Sequence, residues 1–336
     1  MMEFFILLSS IIIYGSFAGL AIICVIFIFL YMVTKPYPVV ERFDEETTYY
    51  DVKTKSKQIF PNINDVQSVH LSVIVPAYNE EERLPPMLDE AIEFLEAQIK
   101  VNPLYKYEIV VVSDGSKDGT VNVVKGFSDK YGSDKVRCLQ LIKNRGKGGA
   151  VRLGVESCRG AAILFADADG ASKFEDLTKL EGALESVTKY DYKSEPNNFS
   201  DSTALAIGSR AHLEKESLAT RSVFRTILMY GFHFLVWLFT VKNIKDTQCG
   251  FKLFTRRAAR LCFQSLHVNR WAFDVELLYI AQRLNMPIAE IPIRWTEIDG
   301  SKITPVLSWL QMGCDLALIW VRYTIGAWKI KSEKVE

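Results

Sequence analysis

Ala161-Ala162-Ile163-Leu164-Phe165-Ala166-Asp167-Ala168-Asp169-Gly170 sets an unbroken apolar run directly against two carboxylates one residue apart. An apolar run of this length, closed by polar turn residues, reads as a strand buried on both faces. Such strands belong to parallel sheets covered by helices, where ligands bind beyond the carboxyl ends of the strands. The two aspartates therefore stand where a ligand is expected.

Working outward, the pattern repeats. Val69–Val75, Ile109–Val112, Val136–Leu141 and Ala204–Ile207 read as further strands. Between them Arg83–Ile99, Thr120–Tyr131, Gly148–Cys158 and Phe174–Tyr190 read as helices, the first with Leu84, Leu88, Ile92 and Leu95 spaced by three or four. This alternation predicts an α/β fold with a mainly parallel sheet and helices on both faces. The first four strands each run into a polar segment: Pro76-Ala77-Tyr78-Asn79-Glu80, Ser113-Asp114-Gly115-Ser116, Asn144-Arg145-Gly146-Lys147-Gly148 and Asp167-Ala168-Asp169. Taken singly, each also reads as ordinary turn and cap chemistry. Gathered at one sheet edge, their carboxylates repel one another unless a cation joins them. Asp167 and Asp169 can offer oxygen ligands to Mg2+ or Mn2+, and such an ion fills its other positions with phosphate oxygens. No GxGxxG follows the first strand and no GxxxxGK[ST] occurs, which argues against a dinucleotide oxidoreductase and a P-loop ATPase. A nucleotide sugar fits better.

Outside the repeating region, Phe4 to Thr34 carries no charge and as a helix extends roughly 45 Å, enough to span a bilayer. A cleaved signal peptide needs a basic leader, whereas Glu3 is the sole early charge, so residues 1–34 are expected to be a retained anchor. Lys35, Arg42, Lys53, Lys55 and Lys57 follow the span and none precedes it, which places the body on the cytoplasmic side. Residues 35–68 read as a juxtamembrane linker, 69–300 as the main domain and 301–336 as a membrane-associated tail. In that last part, Val306–Ile330 mixes Trp309, Trp320 and Trp328 with Asp315, Arg322 and Lys329, the composition of a helix lying in a membrane interface. Ser222–Val241, rich in Phe, Leu and Trp, offers a second contact with a lipid bilayer, and core packing is the alternative for both. Zero net charge gives no global attraction for nucleic acid, and six scattered cysteines without metal spacing point to a reducing compartment. The sequon Asn198-Phe199-Ser200 is expected to stay unmodified in that orientation.

Val-Pro-Ala-Tyr-Asn-Glu at 75–80, Ser-Asp-Gly-Ser-Lys-Asp-Gly-Thr at 113–120, Asp167-Ala168-Asp169 and Gly208-Ser209-Arg210 resemble the successive motifs of family 2 glycosyltransferases with the GT-A fold. Within that family, the stretches at 144–150, 246–252 and 270–276, with one N-terminal anchor, are similar to those of the branch that glucosylates dolichyl phosphate at the endoplasmic reticulum membrane. The resemblance covers the anchor and roughly 69–300. It implies UDP-glucose as donor, dolichyl phosphate as acceptor and dolichyl β-D-glucosyl phosphate, a donor for protein N-glycosylation, as product. By the same resemblance Pro76, Tyr78 and Glu80 face the base and ribose, Asp114 reads the uracil edge, and Lys147 also serves the nucleotide sugar. Asp169, aided by Asp167, holds Mg2+ or Mn2+ on the diphosphate, while Arg210, Arg221 and Arg225 face the acceptor phosphate. Asp169, Arg210 and Arg225 are thus the expected catalytic set.

Two positions depart from the family pattern. Ser113 stands where an Asp is usual, and Ala171 stands where relatives acting on mannose often have Gln. Asp274 and Glu276 are rivals for a base role, with helix-dipole compensation as their other reading. His267 opens a His-x-x-Arg-Trp spacing similar to the Gln-x-x-Arg-Trp of polysaccharide synthases; His70, His212 and His233 lack ligand-spaced partners. Mannose transfer from GDP-mannose to a polyprenyl phosphate and a catalytically silent nucleotide-sugar-binding scaffold are the competing functions.

Overall fold

The computed structural model describes residues 2–213, 231, 235–298, 300 and 305–331. Helix α1 spans Met2–Val33, and its part from Tyr14 to Val33 is the one helix, among the described residues, long and apolar enough to cross a membrane. None of that part is buried inside the protein, so its apolar side chains are left for another solvent.

The body is built on a seven-stranded sheet. Strands β1 (Thr48–Asp51) and β2 (Ser56–Ile59) form a separate antiparallel hairpin inside the segment 35–68. The main sheet contains β3 (Val69–Ala77), β4 (Tyr107–Asp114), β5 (Val136–Leu141), β6 (Gly160–Ala166), β7 (Leu205–Ser209), β8 (Phe251–Thr255) and β9 (Ile288–Pro292), in the order β5-β4-β3-β6-β8-β7-β9. β5, β4, β3 and β6 pair in parallel, with Val73 opposite both Ile109 and Leu164. β8 runs antiparallel to β6 and β7, and β9 is parallel to β7. As a result β3, β4, β5, β6 and β7 all end at one edge, while β8 begins there.

Successive side chains on a strand face opposite ways, and the core divides accordingly. Ile74, Val110, Val112, Ile163 and Phe165 belong to one cluster, whereas Val73, Val75, Ile109, Val111 and Leu164 belong to the other. The second face is covered by α2 (Leu84–Val101), α3 (Thr120–Tyr131) and α5 (Leu177–Thr188). In α2, Pro85 and Pro86 occupy the first turn, where a missing N–H costs nothing, and Leu84, Met87, Leu88, Ala91, Ile92 and Leu95 form the buried stripe. The first face is covered by α4 (Lys147–Glu156), α7 (Arg256–Ser265), α8 (Phe273–Arg283) and α9 (Pro305–Thr324), and the short α6 (Pro196–Asp201) closes one end.

β8 and β9 are not legible as strands in the sequence. Lys252 interrupts the apolar run of β8, and Glu290 and Pro292 interrupt β9. Lys252 is nonetheless fully buried, its ammonium donating to Asp274 Oδ1 at 2.6 Å and to the Cys249 carbonyl at 2.6 Å. All six cysteines are free.

Candidate active site

The segments that end the strands are stitched to one another. Asn79 follows β3 at φ +53, its side chain accepting from Lys117 N at 2.8 Å. Glu80 N donates to Thr120 Oγ1, and Gly119 N to Glu81 Oε2, both at 2.8 Å. Asp114, the last residue of β4, accepts from Arg145 N at 2.7 Å and from Gly146 N at 2.9 Å. Gly146 adopts φ +83, a conformation open to glycine, and a Cβ there would run into the Asn269 carbonyl. The turn is thereby held so that Lys147 starts α4, and its ammonium reaches Asp167 Oδ1 at 2.6 Å.

Asp167 and Asp169 leave β6 at the same edge. Asp167 N donates to the Gly250 carbonyl at 3.0 Å, and a Cβ at Gly250 would collide with the Asp167 carboxylate. Asp169 accepts from Ala171 N at 3.0 Å, and the residues beyond it are tied to the segment that follows β9 through Thr296 N to the Ala171 carbonyl at 2.9 Å. Burial, and then the neighbouring Asp167 charge, push the Asp169 carboxyl above the ordinary range. Burial works against the Lys147 ammonium, but Asp167 and Asp274 outweigh it and raise its pKa.

Of the expected donor residues, Pro76 and Tyr78 lie on the β3 side of this cleft, Tyr78 partly exposed. Glu80 is buried and held in a fork by Arg83, with Nε and Nη2 each 2.8 Å from a carboxylate oxygen. Arg83 in turn feels the charges of Asp169 and Asp167. Asp114 is buried at the floor, and its carboxyl is pushed up to about 6, mainly by burial.

On the opposite side, Arg210 follows β7 and forks onto Asp246, with Nε to Oδ2 at 2.7 Å and Nη2 to Oδ1 at 2.9 Å. Its guanidinium carbon lies 5.4 Å from the centroid of the Trp295 ring. Burial opposes the Arg210 charge, but Asp246 outweighs it and raises the pKa; Asp246 is held below the carboxylate range by the same contact. The pair is neutral overall. Arg221, Arg225 and His233 lie outside the described residues.

The residues present fit a hard divalent cation. Among the described residues no group of three or more His, Cys, Asp or Glu side chains is gathered for a metal. Two carboxylates with a single residue between them, Asp169 raised first by burial and then by the Asp167 charge, suit an ion that takes one or two protein oxygens and completes its shell from a diphosphate.

Asp274, Glu276, His267 and His70 have structural partners. Asp274 is buried against Lys252. Glu276, fully buried, accepts from His267 N at 2.9 Å, Val268 N at 2.6 Å and Tyr323 Oη at 2.8 Å. The His267 ring stacks on Trp328 at 4.2 Å between centroids, and His70 Nδ1 accepts from Lys106 N at 3.0 Å. Sequence reasoning missed Asp246, Trp295 and Arg83 as partners of the expected site residues. It also missed Glu46, which lies in the segment read as a linker and forks onto Arg145.

A model of the family described as "Glycosyl transferase family 2" matches residues 72–262. A dolichyl-phosphate beta-glucosyltransferase of Drosophila melanogaster is 60% identical over 299 residues, 89% of each chain. The enzyme of that name from Homo sapiens is 53% identical over 328 residues, 98% of each chain. Among solved structures, glucosyl-3-phosphoglycerate synthase from Mycobacterium tuberculosis, in complex with Mn2+, UDP-glucose and phosphoglyceric acid, matches with a TM-score of 0.50. It covers 79% of this chain and 82% of that one at 15% identity, a likeness of fold.

Proposed function

Because the chain belongs to glycosyl transferase family 2 and its similar relatives are named dolichyl-phosphate beta-glucosyltransferases, we propose that it transfers glucose from UDP-glucose to dolichyl phosphate. The product is dolichyl β-D-glucosyl phosphate, formed with inversion and serving as a donor for protein N-glycosylation. The observation that carries this reading is the continuity of 145–147: two backbone N–H groups hold Asp114, and the next residue reaches Asp167. One short turn thus joins the segment suited to a base with the segment suited to a diphosphate.

In this reading Pro76, Tyr78, Glu80 and Asp114 take the uridine, with Asp114 accepting from the uracil N3–H. Asp169 and Asp167 are the residues that would hold Mg2+ or Mn2+, and a bound ion would supply stabilisation of the negative charge growing on the departing UDP. Lys147, paired with Asp167 at the head of α4, adds N–H donors and a helix N-terminus on the same side. The acceptor needs little activation, since a phosphomonoester has its second pKa near ~6 and is mostly dianionic at neutral pH. One in-line attack by that oxygen on the anomeric carbon breaks the bond to UDP and converts the α-linked donor into a β-linked product.

Arg210 orients the acceptor phosphate with the part of its guanidinium not engaged by Asp246. A neutral Arg210–Asp246 pair cannot by itself offset the acceptor charge, so that task falls to Arg225 and Arg221. The anchor α1 keeps the body at the endoplasmic reticulum membrane, facing the cytosol. Exposed Trp237, Leu238, Leu318 and Trp320 supply a surface for the lipid bilayer, where the acceptor resides.

Incubating membranes that carry the chain with labelled UDP-glucose or GDP-mannose and dolichyl phosphate tests the proposal. A chloroform-soluble glucosyl product with β configuration is expected. Mannose transfer in its place, or a product of retained configuration, refutes it.

A further inference from the structure

Glu46 lies thirteen residues beyond the last residue of α1, outside the region matched by the family model, yet its carboxylate is fully buried. It takes the Arg145 guanidinium in a fork, with Nη1 to Oε1 and Nη2 to Oε2 both at 2.8 Å. It also accepts from Ile142 N at 2.8 Å and from Phe43 N at 3.1 Å. Its own carbonyl receives Arg42 Nη2 at 2.9 Å, and the same Nη2 reaches Ser157 Oγ at 2.8 Å, just past the end of α4. Burial opposes the Glu46 charge, but the Arg145 fork and the two N–H groups outweigh it and hold the carboxyl below its ordinary range.

This carboxylate therefore grips both ends of the stretch 142–145, immediately before the turn whose N–H groups hold Asp114. Resting on the donor reading above, we propose that Glu46 is a positioning residue for the nucleotide: it fixes Arg145 and thereby the 144–147 turn against Asp114. The segment between anchor and domain then buttresses the donor site from behind the turn. An isosteric Gln can accept one Arg145 donor but opposes the other with its own N–H2, so the fork is lost while the volume is kept.

The test uses the full-length membrane protein, measuring UDP affinity directly and the KM values of both substrates for the wild type, Glu46→Gln, Arg145→Lys and the double variant. Glu46→Gln is expected to weaken UDP binding and raise the KM for UDP-glucose about tenfold, the effect typical of residues that orient a ligand-contacting layer. The KM for dolichyl phosphate should stay within about twofold, since the acceptor side is untouched. Arg145→Lys keeps the charge, loses the fork and should reproduce the change. The double variant should be no worse than the poorer single one, because both act through one contact. Unchanged UDP affinity in a folded Glu46→Gln protein overturns the inference, as do equal rises in both KM values. If Glu46→Gln does not accumulate, Arg145→Lys decides by the same criteria. Failure of the wild type to bind UDP at all overturns the donor reading instead, and this inference with it.

Discussion

Arg210 and Asp246, separated by 36 positions in the chain, meet in a two-point fork at 2.7 and 2.9 Å beside the cleft. An Arg held in this way has its direction fixed before any ligand arrives, and the carboxylate cancels its long-range pull on a phosphate. Asp246→Asn should free the guanidinium and lower kcat/KM for dolichyl phosphate by about tenfold or more, a loss of ~1.4 kcal/mol or greater in transition-state stabilisation. Arg225→Ala should raise the acceptor KM strongly with little change in UDP affinity. Steady-state kinetics with both substrates checks the pair, and an unaltered acceptor KM in both variants would remove the assigned roles.

Asp169→Ala should abolish transfer while leaving membrane insertion intact. Thorough chelation of the wild type should do the same, with recovery on adding Mg2+ or Mn2+. Labelled-sugar transfer after metal depletion provides the measurement, and full turnover in the depleted protein contradicts the metal assignment.

Burial pushes the Asp114 carboxyl to about 6, against the Arg145 and Gly146 N–H groups and the Arg145 charge. A carboxyl raised in the folded state favours folding fully below its unfolded value near ~4, and that contribution is lost as pH rises through about 6. UDP binding moves the opposite way, because a uracil N–H donates to the ionised form. UDP affinity should therefore fall as pH drops below about 6, and Asp114→Asn should bind more weakly with a flattened profile. Binding titrations between pH 5 and 8 expose the break, a range chosen about that value.

Asp274 is paired with Lys252 where both side chains are essentially inaccessible, at 3% and 0% exposure. Asp274→Asn should then act first on stability, by about 3–5 kcal/mol for one partner removed from a buried pair. A folded, equally stable Asp274→Asn protein without activity would return Asp274 to the base role. Thermal unfolding in detergent, run beside transfer assays, separates the two.

In α9, Met312, Leu316, Ile319 and Tyr323 are buried in the core, while Leu318 and Trp320 are exposed, the Trp320 ring meeting that of Phe239 at 5.5 Å. Cutting the chain before α9 would expose that core, so membrane contact is better tested by point changes. Trp237→Ser with Leu318→Ser and Trp320→Ser, in a chain whose anchor has been removed, should lower co-flotation with liposomes without lowering the melting temperature. Undiminished flotation would take the lipid surface away from this patch.

The α/β class, the strands β3 to β7, the helices α2 to α5 and the polar strand ends were legible in the sequence, because apolar periodicity and turn chemistry are local properties, whereas the six-residue α6 is too short to show a period. The Asp167–Asp169 pair could be located for the same reason. β8 and β9 were not, since Lys252 and Glu290 break the apolar pattern and only a distant partner makes them tolerable inside a sheet. The neutralisation of Arg210 by Asp246 and the grip of Glu46 on Arg145, 99 positions away, exist only once the chain has closed on itself. A charge in a sequence has a sign and a neighbourhood; its energy depends on burial and on which opposite charge the fold brings within hydrogen-bonding reach.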